Sequence, residues 1–472
     1  MAAPLDRRIV IADLSDADQR SLDEMIAQWR AKRPRNNLRS AMYDMKNATR
    51  HLMSSNAPSE VKRRHYVLGW SGMAVDKLNR RCNLDGFYDP TGRDLDALGL
   101  GDIEKSNRLR SELSQAGVSS LIHAVSWLVT VQGGEGEPEV LILPRDATNA
   151  TGIWDPRRRA LRSFLSINDV DDRGEPVEMT MYLDGRNVIM VKDDGRWTVD
   201  HREHDYGLPV DPMRYKPRLG RPFGSSRISR AAMSMHEQAV GVMIRADVNG
   251  IAYSLPRYAL LGATESAFQN ADGSVKPTWQ AAWDAIWAIG DDEDAETPAL
   301  ARADIKQFHG QSPEPQNAHL RMLAQMFSGE TGIPIGELGL IGDANPTSAE
   351  ALSVAKDDLI AEAEQTTDNW TPDLSATLTR AVRMLNRDDV PRDLEVLPVW
   401  RNPMHVSRAA AADAGAKVLD QHPELRGTDV GMEISGLTAA QIKRARAEIR
   451  ANRGRALLGR LTPEAPADGD AV

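Results

Sequence analysis

The sequence predicts an α+β protein, mainly helical, built around one antiparallel β meander. Three observations carry that expectation. Apolar residues recur at three-four spacing over several long segments. Near residue 137 the pattern changes to strand-length apolar runs and alternation. Two Asp-Gly pairs, at 184–185 and 194–195, are then spaced as consecutive hairpin turns. The 472 residues suggest about three structural units.

In chain order, residues 16–54 read as two helices. Leu22, Met25, Ile26 and Trp29 form the first stripe, and Pro34 breaks the run before a second helix through Met42 and Met45. Another helix is expected over 104–131, with Leu109, Leu113, Leu121, Val125 and Leu128. PEVLILP (138–144) reads as a strand, and IWDPRRRALRSFLSI as a hairpin whose turn opens at Asp155–Pro156. VEMTMYLDGRNVIMVKDDGRWTV completes the meander, with Met179, Met181 and Leu183 on one face.

A Pro- and Gly-rich loop (205–224) leads into a long helix capped by Ser225 or Ser226. Its first stripe is Ile228, Ala232, Met235, Ala239, Val242 and Ala246; its second is Val240, Ile244 and Val248, and Asn249–Gly250 ends it. Residues 251–314 read as a small insert with two extended segments, YSLPRYALLG and ADIKQF, and a short helix carrying Trp279, Trp283 and Trp287. Helices follow over 315–330 and from 352, the latter kinked or restarted at Pro372. EVLPVW (395–400) is a strand, helices are expected at 407–420 and 437–458, and the last fourteen residues read as disordered.

Composition narrows the function. One cysteine, Cys82, leaves no internal disulfide, and the first residues lack an apolar signal-peptide core, so a soluble cytoplasmic product is expected. The run at 121–131 is too short to span a bilayer and contains His123. A net charge of −10 argues against a surface that grips nucleic acid throughout. Charge is uneven, however: 291–296 reads DDEDAE, whereas Lys443, Arg444, Arg446, Arg450, Arg453, Arg455 and Arg460 crowd one C-terminal helix. That helix is a candidate DNA contact or a solvated face. No phosphate-binding GxxxxGK[ST], GxSxG or HExxH motif occurs. His201 and His204 lack the further ligands zinc wants, so no metal and no cofactor are expected. DDEDAE reads as a solvated acidic loop.

Residues 331–350, TGIPIGELGLIGDANPTSAE, raise the question of a phosphate cradle. Phosphate loops follow a strand and carry Lys nearby. Here a helix precedes, no Lys or Arg occurs, and Glu337 and Asp343 would repel an anion. Thr347 to Glu350 spells a capping box for the next helix. The loop is long for a helix–helix connection, and its apolar residues argue against plain disorder.

The order of these pieces resembles tailed-phage portal proteins, the head-to-tail connectors, particularly those of phages infecting actinobacteria. The matching signals are GWSGMAVDKLNRRCNLDGF (69–87) before a meander, GRPFGSSRIS (220–229) leading into a helix that ends DVNG, a small insert, TGIPIGELG, and NPTSAEAL opening a long helix. The resemblance spans nearly the whole chain and departs after 405, in a run of small residues and arginines.

The resemblance implies a portal fold: a wing (1–224) with the meander, stem helices (225–249 and 315–332), an α/β clip (250–314), a tunnel loop (333–347), a spine helix and wing strand (348–405), and a helical crown (406–472). It implies a homo-oligomeric ring, usually of twelve subunits, at one capsid vertex of a virion assembled in the host cytoplasm. Double-stranded DNA would pass through its channel. The implied partners are the terminase motor, head-tail adaptors, and major capsid and scaffolding proteins, with no membrane and no enzymatic activity. Ile335, Gly336, Glu337, Leu338, Gly339, Leu340, Ile341, Gly342, Asp343 and Asn345 would line the channel. The crown cations, Lys443 to Arg455, would contact packaged DNA. Two alternatives stay open: a metal-dependent nucleic-acid-processing enzyme using the DDEDAE acids, and another head component such as a minor capsid or adaptor protein.

Overall fold

The computed structural model describes residues 8–53, 59–253, 257–261, 274, 304–308, 312–339, 356–387, 389–404 and 408–461. The chain forms two compact units, one of Met1–Asn47, Gly69–Met233 and Glu330–Val472, the other of Ala48–Leu68 and Ser234–Gly329.

The first unit opens with α1 (Asp16–Tyr43), whose cap Ser15 accepts a hydrogen bond from the Asp18 amide at 3.2 Å. The expected break at Pro34 is absent and one helix runs through it. Proline removes one backbone hydrogen bond, but α1 is gripped on both sides of it. Trp29 Nε1 donates to the Thr148 carbonyl at 2.7 Å, and Asn36 Nδ2 to that of Ala147 at 2.8 Å. Tertiary anchoring outweighs the local penalty.

The meander is as expected: β4 (Ala150–Asp155), β5 (Ala160–Val170), β6 (Pro176–Leu183), β7 (Arg186–Asp193) and β8 (Arg196–Glu203) lie side by side, all antiparallel. Alternation gives the sheet two apolar faces. Leu165, Met179, Met181, Val188 and Met190 share a core with Leu22, Met25, Ile26 and Trp29 of α1. Phe164 and Tyr182 belong to the other face and meet Trp127, whose ring centroid lies 5.0 Å from that of Phe164.

The helix expected over 104–131 is three elements: α4 (Leu100–Ser106), α5 (Leu109–His123) and β2 (Val125–Gln132). Ala124, at φ 87°, ends α5 in the left-handed region. The following VSWLVTVQ is rich in β-branched and aromatic residues, which suit a pleated surface. It is the middle strand between β3 (Val140–Asp146) and β9 (Val210–Arg214), and burial makes its apolar run continuous. A short run of this kind is ambiguous by periodicity alone.

The largest core joins α3 (Trp70–Asn79) and α5 to α8 (Asp357–Leu385) through Val75, Leu78, Leu113, Leu121, Trp370, Leu374, Leu378 and Val382. Like α1, α8 continues unbroken through its proline, Pro372, which lies between fully buried Trp370 and Leu374. The strand expected at 395–400 is β12 (Leu397–Trp400), paired with β1 (Leu84–Tyr88). α9 (Arg408–Gln421) and α11 (Ala439–Leu461) match expectation, and the unexpected α10 (Asp429–Ile434) lies between them.

The second unit holds α2 (Ser59–Arg63), most of α6 (Arg230–Tyr253), the ribbon β10 (Arg257–Leu261) and β11 (Asp304–Phe308), and most of α7 (Glu314–Thr331). The cap of α6 is Ser229, not Ser225 or Ser226: its Oγ accepts from the Ala232 amide at 3.0 Å. The helix also runs past Asn249–Gly250 to Tyr253. Its second apolar stripe is buried within the chain: Val240 and Ile244 pack with Val61 and Tyr66. The tryptophan stripe at 279–287, DDEDAE, the Thr347–Glu350 capping box and the chain end after 461 lie outside the described residues. Among the described residues no helix is long and apolar enough to cross a membrane.

Candidate functional site

In the first unit, one buried guanidinium gathers the segments that lead into and out of the two long helices α6 and α7. Arg227, three residues before α6, is 5% exposed. Its Nη2 donates to the Thr331 carbonyl at 2.6 Å, at the last residue of α7. Its Nε donates to the Ala74 carbonyl on α3. Its Nη1 pairs with the Glu362 carboxylate on α8 and donates to the Tyr215 hydroxyl at 3.1 Å. Tyr215 and Lys216 also bind Glu362. A buried charge is tolerated only when paired and hydrogen-bonded, and this one has a partner on every side. Burial works against the Glu362 carboxylate, but attraction to Arg227 and hydrogen bonds from Lys216, Tyr215 and Arg227 outweigh it and hold its pKa below the usual range.

The loop after α7 begins beside this knot. Gly332, at φ +65°, ends α7 in the left-handed conformation glycine adopts without strain. Ile333 is fully buried, and Ile335–Leu338 form a single 3-10 turn with Leu338 buried. Glu337 Oε2 lies 2.9 Å from Lys77 Nζ on α3, and its Oε1 lies 3.8 Å from Lys356 Nζ at the cap of α8. Partial burial opposes its charge, yet Lys77, Lys356 and Arg81 together lower its pKa. One carboxylate therefore ties both ends of the segment 340–355. Of the predicted channel residues, Ile335, Gly336, Glu337, Leu338 and Gly339 sit at this anchor. Leu340, Ile341, Gly342, Asp343 and Asn345 lie outside the described residues.

The predicted basic residues are on α11, and they are not equivalent. Lys443 pairs with Asp96, and Arg446 Nε bonds Asp429 Oδ1 at 2.7 Å. Arg444, Arg450, Arg453 and Arg455 are exposed, and no carboxylate among the described residues pairs with them. Two of the six predicted cations are thus spent on docking the helix. His204 Nε2 lies 3.1 Å from Asn187 Oδ1 and its ring stacks on Tyr206 at 3.9 Å, while His201 faces Val188 across β7–β8. Among the described residues no group of three His, Cys, Asp or Glu could hold a metal.

Arg227, Glu362, Lys77 and Lys356 were not singled out by sequence. The available signal was Arg227 itself, a charge set among small residues just before an apolar helix.

Comparison with known proteins agrees with the sequence resemblance. The chain is 24% identical to the portal protein of Mycobacterium phage D29 over 430 residues, 89% of this chain and 85% of that protein. It is 24% identical to the portal protein of Mycobacterium phage L5 over 372 residues, 76% of this chain and 74% of that one. Among solved structures, a chain of the virion of a native gene transfer agent particle overlaps 78% of this chain and 89% of its own length, with 17% identity and a TM-score of 0.37. A chain from the neck of the empty particle gives 15% identity, 78% and 90% coverage, and a TM-score of 0.39. Overlap that partial carries no functional argument. The model of the family described as phage portal protein, SPP1 Gp6-like, matches residues 22–452, and the chain belongs to that family.

Proposed function

We propose that this chain assembles into a closed ring at one capsid vertex, through which double-stranded DNA enters during packaging and leaves during ejection. The observation that carries this is the family match over residues 22–452. The element order supports it. Two long helices, α6 and α7, bracket a small β ribbon in the chain and are followed by the 29-residue α8. In this reading 225–249 and 315–332 are the stem, 250–314 the clip and 333–347 the tunnel loop. Residues 348–405 are spine and wing strand, 1–224 the rest of the wing, and 406–472 the crown.

The ring is a conduit and hydrolyses nothing. A conduit must pass DNA without holding it, and each neutralised phosphate adds salt-sensitive affinity. Loop tips without Lys or Arg meet that requirement. The exposed cations of α11 would touch DNA already packaged. The terminase motor would dock during packaging and head-tail adaptors afterwards, with the capsid and scaffolding proteins as assembly partners.

Native mass spectrometry and negative-stain imaging of the purified chain test the proposal. Closed rings at a multiple of 52.0 kDa, near twelve-fold, are expected. A species that stays monomeric at every concentration and salt tested would count against it.

A further inference from the structure

In the first unit, five cations come together with no carboxylate among the described residues to pair with them. Lys32, Arg35 and Arg39 stand on α1, Arg221 on the loop before α6, and Arg230 at the first turn of α6. Burial, reinforced by Arg35, pushes the Lys32 pKa down to about 8. Burial, then Arg35, Arg221 and Arg230, push that of Arg39 down to about 10. The Arg39 Nε is buried without a hydrogen-bond partner. A folded protein seldom leaves such a group unanswered.

Beside these charges the chain makes a small hairpin in which Arg218 and Arg221 exchange backbone hydrogen bonds. At its tip Leu219 is fully exposed. Single exposed leucines are ordinary, but this one stands at the end of a braced turn and next to unpaired arginines. Arginine is enriched at interfaces and their hot spots, and the exposed leucine beside it adds apolar surface for a partner to cover.

We propose that the Leu219 hairpin and the Arg35, Arg39, Arg221 and Arg230 cluster dock onto an acidic surface of a second copy of this chain, next to it in the ring. The inference rests on the ring reading and adds the surface that closes it. Charge selects the occupant. The chain carries 68 acidic against 58 basic residues, so a neighbouring copy offers carboxylates widely, and the cluster is where one copy answers them. Charge also selects the geometry. A patch of one sign cannot face itself across a two-fold axis, so its counterpart is a different surface of the neighbour, as in the head-to-tail contact that rings require. A phosphate backbone would use the cations but has no use for Leu219, and half-buried Lys32 and Arg39 suit a fixed partner better than a sliding duplex.

The test is ring assembly of the full-length double variant Leu219→Ser with Arg221→Glu, both exposed positions, next to the conservative Arg221→Lys. Circular dichroism and thermal melting should match wild type. In sedimentation velocity the double variant should need at least tenfold higher concentration to form rings, and Arg221→Lys should assemble like wild type. Rings formed equally well by the double variant and wild type overturn the proposal. So do normal rings combined with weakened binding of a DNA duplex, which would make nucleic acid the occupant. A wild type that never forms rings sinks the ring reading, and this surface with it.

Discussion

Replacing Arg227 with methionine would leave the Glu362 carboxylate buried with only Tyr215 and Lys216 to answer it. Losing one partner of a buried pair costs about 3 kcal/mol, read as a lower urea midpoint. The same carboxylate sets a pH dependence. Because its folded pKa lies below the ordinary glutamate value of 4.5, its contribution is complete above that value. It drains away as pH falls through the lower folded pKa. Denaturation curves of wild type and Glu362→Gln should therefore converge on acidification. Cys82 offers a second residue-level check. It is buried, and burial pushes its pKa to about 12, so the thiol should resist iodoacetamide at pH 8 until the chain unfolds. Apart from the neighbours Tyr215 and Lys216, these partners lie far apart in sequence, so single residues were the least legible part of the chain. Arg227 and Glu362 look like ordinary charges until the fold brings them together.

At the level of elements, local chemistry was readable wherever a turn or a stripe decided the structure. The Asp-Gly turns fixed the meander, and Met179 and Met181 identified its buried face. It failed where distant contacts overrode local preference. Pro34 read as a break and Pro372 as a kink or restart, yet Trp29 and Asn36 hold α1 across the first, and Trp370 and Leu374 flank the second. VSWLVTVQ read as helix because burial on both sides erased its alternation. Gly224 shows the local rule succeeding inside a motif noted for other reasons. It has φ +80°, and a Cβ there would lie 2.0 Å from the Tyr215 carbonyl oxygen. Gly224→Ala should therefore destabilise by several kcal/mol, on the order of 3 or more, and lose the lead into α6, visible as a lower melting temperature. Glu337→Gln should do the opposite kind of damage. Its ion pairs are partly exposed, so stability should fall by about 1 kcal/mol or less, while amide exchange over Ile335–Gly339 quickens.

For the whole molecule, the portal identity was legible in the order of motifs, whereas the distribution of charge between structural and functional duties was not. Lys443 and Arg446 were grouped with Arg450, Arg453 and Arg455, but the first two pair with acids of their own chain. Removing the last three to alanine should weaken DNA binding and flatten its salt dependence by roughly 0.9 per lost phosphate contact. Lys443→Ala should do so less. The Glu337 bridge has a broader consequence. Because Lys77 and Lys356 bring the two ends of 340–355 to one carboxylate, the span between them is closed before its own sequence matters. Doubling the length of a closed span costs only about 0.6 kcal/mol. Variants lengthened by a few residues between Gly339 and Lys356 should therefore keep nearly wild-type stability, checked by urea denaturation.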